Sequence, residues 1–301
     1  MKKVADGREL DMQHLPDDLK REYLFLTKNN PDIEGLEHPL INLSDAFRAY
    51  FILVHYFTDA STDEEQETMM VGIRSIDLLA SALSRQNISF GGKQKYTNPL
   101  DICATLFFGV VKNHSFNDGN KRTALLLLLY QLQLYGYYPT APKKQFESLV
   151  LHVADGSIET YYRRVYKKYK KSDDPVIRTL SYLLRSMTEK KDNAYHLSPT
   201  MKEFCSALEK CRVICKVENG KVKLTYTIPG RWKFFPAQEH NFYISFHGWT
   251  RTVGAKTARD TLKALGLYDQ YPTYQRILNG TEPLYELIDE FKEPLRRLKD
   301  E

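Results

Sequence analysis

The 301-residue chain lacks most of the features that would assign it to a specialised class at once. No apolar run approaches the roughly 18 residues of a membrane span; the longest, residues 124–130, reads as part of a buried helix. The start, Met-Lys-Lys-Val-Ala-Asp-Gly-Arg, has no apolar stretch behind its charges, so it does not read as a signal peptide. A cytoplasmic protein is the expectation. Cysteines are scarce: Cys103, Cys205, Cys211 and Cys215 are too few and too clustered for a disulfide scaffold. Without a Cys-x-x-Cys pair or an adjacent histidine they are no zinc site either, and reduced thiols are expected. No internal repeat is present.

The composition is that of an ordinary globular protein, 42% hydrophobic and 27% charged, and the length suits two domains. The net charge of +5 is unevenly spread, with about −5 over residues 1–162 and about +10 over residues 163–301. It is densest in Arg163-Arg164-Val165-Tyr166-Lys167-Lys168-Tyr169-Lys170-Lys171. Such a run is either the solvated face of a helix or a surface for nucleic acid or an acidic protein, and no groove-reading motif accompanies it.

Residues 1–40 are polar and proline-marked and read as an N-terminal extension with one short helix, from about Asp17 to Thr27. Helices are expected at Leu43–Phe57 and Ile76–Ser84, separated by an acidic loop at Ser61–Thr68. Ser89-Phe90-Gly91-Gly92-Lys93-Gln94-Lys95-Tyr96 has a glycine pair between β-formers, which suggests a small hairpin flap. Asn98-Pro99 opens the next helix with a capping side chain followed by proline, and that helix runs to Lys112-Asn113. After a polar loop, Lys121–Tyr135 is apolar almost all round, as a helix enclosed by others must be. Further helices are expected at 144–154, 158–171 and 175–187, then a linker at Glu189–Asn193. Beyond it the pattern changes to a helix at Thr200–Lys210, strands at Lys221–Ile228 and Asn241–Phe246, and a helix at Ala255–Leu265. From Tyr271 the chain reads as helical or extended with proline interruptions. The expected fold is mainly α over residues 41–190, followed by a smaller α+β domain at 195–301.

The loop at 114–122, His-Ser-Phe-Asn-Asp-Gly-Asn-Lys-Arg, concentrates chemistry. It ends where a buried helix begins, and a helix N-terminus presents N–H groups and a positive dipole end to an anion. Gly119 lets the backbone approach a ligand closely, and Asn120, Lys121 and Arg122 add an amide and two charges that suit a polyphosphate. Asp118 is a hard oxygen ligand beside that anion site, suited to Mg²⁺ held jointly with substrate phosphates. Histidine is the side chain whose unperturbed pKa lies near neutrality, which makes His114 the natural acceptor of a proton from an attacking hydroxyl. Phe116 reads as the anchor that fixes the loop in the core. Base, metal ligand and phosphate cradle within nine residues are the parts needed to transfer a phosphorus-containing group.

With Thr123 and Ala124 this segment resembles the Fic/Doc signature, in the Doc-type form that ends Asn-Lys-Arg-Thr-Ala. Gly72-Ile73-Arg74, Leu78-Leu79, Ser81-Ala82-Leu83 and Arg85 are similar to the segment ahead of the flap in Doc-like toxins. Phe90-Gly91-Gly92 resembles the flap, and Leu134-Tyr135-Gly136-Tyr137 the end of the central helix. The resemblance covers roughly residues 41–170. It implies an ATP- and Mg²⁺-using transferase that modifies a hydroxyl of a protein target. By that resemblance His114 is the general base and Asp118 the metal ligand. Phe116, Asn117, Gly119, Asn120, Lys121 and Arg122 then form the nucleotide and phosphate site. The flap at Phe90, Gly91, Gly92 and Lys93, extending to Tyr96, would align the target as an added strand.

Departures from the AMP-transferring pattern narrow the expectation. Lys121 stands where those enzymes usually have glycine, Leu125 where they have a second arginine, and Ser115 where they have proline. Lys121 and Leu125 favour Doc-type phosphate transfer to a Ser or Thr hydroxyl, on a translation factor if the Doc pattern holds throughout, over AMP transfer. The nearest approach to a self-inhibitory motif, Asn30-Pro31-Asp32-Ile33-Glu34-Gly35, has asparagine where Ser or Thr is expected, and Leu125 cannot receive its glutamate. A separate antitoxin is therefore the expected restraint.

Elsewhere, Gly254-Ala255-Lys256-Thr257 echoes a P-loop but lacks the glycine directly before lysine, and reads as a helix start. His55, His240 and His247 read as ordinary packing or surface histidines. The element order from 200 to 266 is loosely similar to small folds that bind double-stranded RNA. Tyr226, Arg231, Trp232, Lys233, Trp249, Arg251 and Lys256 would give an aromatic and basic surface. A docking module for target or antitoxin fits equally well. A binding protein with a degenerate pocket, acting through this second domain, is the reading from a different class.

Overall fold

The computed structural model describes residues 15–37, 39–58, 69–190, 199–228, 238–267 and 283–299. The described residues form two compact units, one drawn from 15–190 with 284–299, the other from 199–267. The fold is mainly α with small antiparallel sheets, as the pattern predicts.

The larger unit begins with α1 (Asp17–Asn29), α2 (Leu43–Thr58) and α3 (Ile76–Ser84). A two-stranded hairpin, β1 (Ser89–Phe90) and β2 (Lys93–Gln94), leads to α4 (Pro99–Asn113) and α5 (Asn120–Leu134). There follow β3 (Tyr137–Pro139), α6 (Lys143–Ala154), α7 (Ile158–Tyr161), α8 (Arg163–Tyr169), α9 (Pro175–Met187) and β4 (Thr188–Lys190). Local signals account for several ends. The Ser75 side chain caps α3 by accepting from the Leu78 N–H, and Asn98 caps α4 by accepting from Leu100, with Pro99 at the first helical position. Gly136, at φ +79°, turns the chain out of α5 into β3.

α5 is the spine of this unit. Residues 124–129 are wholly buried, because α2, α4 and α6 pack around the helix and leave it no solvent face. One buried polar chain crosses this core: Gln131 donates to Gln86 at 2.5 Å, and Gln86 in turn bridges the N–H and carbonyl of Ile41.

The second unit is α10 (Met201–Lys210), β5 (Val213–Glu218), β6 (Lys221–Ile228), β7 (Gln238–Ser245) and α11 (Ala255–Ala264). Its sheet is an antiparallel meander in the order β5-β6-β7. Thr200 and Glu203 form a reciprocal capping box at the start of α10. Phe204 and Leu208 of α10, Val222, Leu224 and Tyr226 of β6, and Ala258 and Leu262 of α11 share one core, so both helices cover the same face of the sheet. The element order is thus helix, three strands, helix. β5 was not anticipated, although the Asn219-Gly220 pair, both at positive φ, is the turn signal that closes it onto β6.

Three expectations are corrected. The first concerns the last helices, α12 (Pro283–Glu290) and α13 (Lys292–Arg297), which belong to the larger unit and not to the α+β one. Leu284, Leu287, Ile288, Phe291, Leu295 and Leu298 recur at helical spacing and are all buried, which is what drives the docking. Phe291 meets Phe146 edge to face, Lys143 donates to the Glu290 carbonyl, and Arg297 grips the buried Glu147 carboxylate through Nε and Nη2. Second, Glu189 and Lys190 are strand rather than linker, paired with Tyr138 and Tyr137. Third, the helix expected at 158–171 breaks at Tyr162 into α7 and α8. The acidic segment Ser61–Thr68, the linker residues 191–193, and Arg231, Trp232 and Lys233 lie outside the described residues.

Candidate active site

The loop 114–119 leaves α4 and enters α5 with two left-handed residues at its ends. His114 follows the last residue of α4 at φ +47°, ψ +52°, a conformation that non-glycine residues seldom adopt, and its side chain is exposed. Gly119 precedes α5 at φ +80°, where a Cβ would fall 2.8 Å from the Met69 methyl. The intervening residues are held from behind. Arg74 and Ser75 donate their N–H groups to the Ser115 carbonyl at 2.8 and 3.1 Å, and Asn117 donates its own to Gly72 at 3.0 Å. Residues 72–75 and 115–117 thus run side by side, with an isolated bridge between Ile73 and Phe116.

Beneath this pair of segments, Phe116 is buried and stacks on Tyr50 of α2, ring centroids 4.4 Å apart. The Tyr50 hydroxyl accepts from the Gly72 N–H at 3.0 Å and lies 3.2 Å from the Gly72 carbonyl, to which it donates. Burial pushes the Tyr50 phenol up to about 12, so it stays protonated and keeps this donor. Gly72 sits at φ +133°, and a Cβ there would fall 2.8 Å from the Asn117 side-chain nitrogen. Tyr50 and Gly72 therefore set the height of the loop. In sequence Tyr50 is one of the α2 positions shared with Phe47, Phe51 and Val54, and nothing in that spacing marks it as the loop's support; a tyrosine among buried phenylalanines is the signal that it has a polar partner.

The sequence-derived site residues divide into two groups. His114, Asn117, Asp118 and Lys121 lie at the surface or half-buried at the mouth of α5. Asp118 accepts the Gly119 N–H with one carboxylate oxygen at 2.5 Å. Phe116 and Asn120 build the loop instead. Asn120 is buried, and its amide clasps the Phe116 backbone twice, accepting from the N–H at 2.9 Å and donating to the carbonyl at 2.8 Å. The Asn120 amide and the Phe116 ring thus both brace the loop.

Arg122 also departs from the expected arrangement. Its guanidinium is 2% exposed and lies over the Phe57 ring at 4.6 Å. It donates to the Arg296 carbonyl of α13 at 3.2 Å and to the Met69 sulfur at 3.5 Å. A cation next to the carbonyl end of a helix is favourably placed, so this contact is part of what holds α13 down. Arg122 can reach a phosphate only if that packing opens. Leu125, at the position of the second arginine in the AMP-transferring pattern, is wholly buried.

Asp118 is the carboxylate of this loop. Among the described residues no three His, Cys, Asp or Glu side chains gather at one point. A single carboxylate at a helix N-terminus fits Mg²⁺, which commonly takes one or two carboxylates and completes its shell with phosphate oxygens and water. It does not fit a metal bound by protein alone.

The flap is present as expected. β1 and β2 pair as Ser89 with Gln94 and Phe90 with Lys93, and Gly91 and Gly92 both take positive φ in the turn. Phe90 is 70% exposed at its tip. The foot of the flap is tied to the start of α9: the Tyr96 hydroxyl donates to Asp174 at 2.6 Å and Lys95 pairs with the same carboxylate. Partial burial pushes the Asp174 carboxyl up, but the bonds from Lys95 and Tyr96 outweigh this and hold it below its ordinary 3.8. A depressed carboxylate stabilises above its unfolded pKa and loses that contribution as pH falls through the folded value. Asp174→Asn is accordingly expected to speed amide exchange across residues 88–96 at pH 7, and the wild type to show the same loosening only below about pH 4. Exchange unchanged in the variant would remove this anchor from the account.

Glu34 of the motif considered for self-inhibition is exposed. Its neighbours are tied elsewhere: Asn42 brackets Ile33 and Leu36, and Asn87 donates to the Gly35 carbonyl. In the second unit Tyr226 is buried in the core and drops out of the expected aromatic surface, while Trp249, Arg251 and Lys256 are exposed.

The larger unit is therefore a helical domain in which one braced loop joins a basic side chain at a helix end to the anion-attracting start of a buried helix. Residues 40–132, from just ahead of α2 into α5, match the model of the Fic/DOC family. That match supports a Fic-type transferase domain over this stretch; members of the family are typically transferases that carry out AMPylation or phosphorylation. No curated protein and no solved structure matches the chain. Among the described residues no helix is long and apolar enough to cross a membrane.

Proposed function

We propose that the chain transfers the γ-phosphate of ATP to a Ser or Thr hydroxyl of a protein target, with the loop 114–122 as its active centre. The observation that carries this reading is the pairing of exposed His114 with the α5 N-terminus across one braced turn. His114 takes the proton of the target hydroxyl as its oxygen attacks the γ-phosphorus, and ADP leaves with the bridging oxygen. Lys121 and the first-turn amides of α5 hold the phosphates, since Arg122 is committed to α13. Mg²⁺, held by Asp118 and phosphate oxygens, would neutralise the charge that develops on the leaving group.

Phosphate transfer is favoured over AMP transfer by Lys121 at the cradle and by buried Leu125 in place of a second arginine. The exposed edge of β1–β2 offers main-chain pairing to an extended target segment. A translation factor is the target class, and a separate antitoxin the restraint, that follow from the Doc-like features of the sequence.

The test is transfer from ATP labelled at either the α- or the γ-phosphate to proteins of a cell extract. Label from the γ-position alone supports the proposal. Label from the α-position means nucleotidyl transfer by the same loop, and no label from any nucleotide leaves a binding protein.

A further inference from the structure

We infer that α7, α8 and the exposed face of α9 form a binding surface for single-stranded nucleic acid. This inference does not rest on the transferase reading. Arg163, Arg164, Lys167, Lys168, Lys170 and Lys171 are all exposed, and α8 buries no residue at all. Among the described residues none of the six lies within ion-pair distance of a carboxylate, whereas Lys95, Arg178 and Arg297 of the same unit each have one. Asp174, the carboxylate at the start of α9, is taken by Lys95 and Tyr96. Six like charges in nine residues repel one another, and a polyanion would relieve that repulsion.

Rings interleaved with the charges select among polyanions. Tyr161 is 63% exposed and stacks its other face on His152, centroids 3.7 Å apart, so it is a rigid platform rather than a loose side chain. Tyr182 is 38% exposed, with the Lys168 ammonium 4.9 Å from its centroid and Tyr169 beside it. An acidic protein surface would use the lysines and leave the exposed rings without a role. A single strand uses both, phosphates on the cations and unpaired bases on the rings.

The surface also adjoins the end of α4. Lys112, two residues before His114, donates to the Ala154 carbonyl at 2.9 Å, close by His152 and its stacked Tyr161. A strand bound there would pass near the loop, so a target carried on that strand would be delivered beside it.

The experiment is fluorescence anisotropy of the full chain with a 20-nucleotide uridine RNA, against the same length of thymidine DNA, duplex RNA and poly-glutamate. The two single strands are expected to bind better than the duplex and poly-glutamate, with affinity falling steeply with salt. Lys167→Glu/Lys168→Glu/Lys170→Glu/Lys171→Glu should weaken their binding by roughly a hundredfold or more, and Tyr161→Ala, which leaves the charge unchanged, by about tenfold. Lys256→Glu/Arg259→Glu, in the other unit, should leave binding by this surface unchanged. The inference is overturned if poly-glutamate binds as well as the single strands with no effect of Tyr161→Ala. It is equally overturned if duplex RNA is preferred to both single strands, or if only the Lys256 and Arg259 variant loses binding. Circular dichroism of each variant confirms that exposed changes have left the fold intact.

Discussion

Phe116→Ala is expected to destabilise the larger unit by about 3–5 kcal/mol, the usual cost of truncating a buried phenylalanine, and to abolish transfer. The ring fills the space between the loop and α2, stacked on Tyr50, and its own backbone is the part that Asn120 clasps. Removing it leaves a cavity under the loop and frees residues 114–118 to move together. Tyr50→Phe separates these two effects. It keeps the stacking ring but leaves the Gly72 N–H and carbonyl without their hydroxyl partner, so it should cost only about 1–2 kcal/mol while still lowering activity. Denaturant titrations beside transfer rates check both. Full activity in Tyr50→Phe would mean that loop height does not depend on the Gly72 contact.

Gly119→Ala is expected to have the next largest effect, and chiefly on activity. At φ +80° an alanine is strained by about 1–2 kcal/mol whatever the space around it. The new methyl also meets the Met69 methyl at 2.8 Å, which that flexible side chain can relieve by moving. The strain falls on the residue that sets the direction of the first-turn amides of α5, and a small misplacement of such donors costs on the order of a hundredfold in rate. A melting temperature lowered by only a few degrees with transfer down by that factor is the predicted pattern. Unchanged transfer would show that the phosphates are not held at the α5 N-terminus.

The helical unit was legible because its signals are local. Asn98-Pro99 announces α4, the apolar run 124–129 announces a buried α5, and Gly91-Gly92 announces the flap. The nine residues of the loop were also legible as a set, because charge, glycine and histidine at a helix start have few uses together. Their individual roles were not. Asn120 reads in sequence as a phosphate ligand, and nothing local announces that its amide also clasps the backbone of Phe116, four positions away. Arg122 points into packing supplied by α13, 174 residues later in the chain, which no local pattern announces. The return of α12 and α13 was missed for the same reason. Their apolar spacing is plain, but spacing says that a face is buried and not against what. β5 was missed because Cys215, Lys216 and Glu218 dilute its alternation, although Asn219-Gly220 marked the turn.

The central claim is that His114 is the base of a phosphoryl transfer run by this loop. The most direct test compares the wild type with His114→Ala, each incubated with extract, Mg²⁺ and γ-labelled ATP. His114 is exposed and its side chain holds no part of the core, so both proteins should melt alike. The wild type is expected to label protein and His114→Ala to label none. Equal labelling by the two would contradict this role of His114.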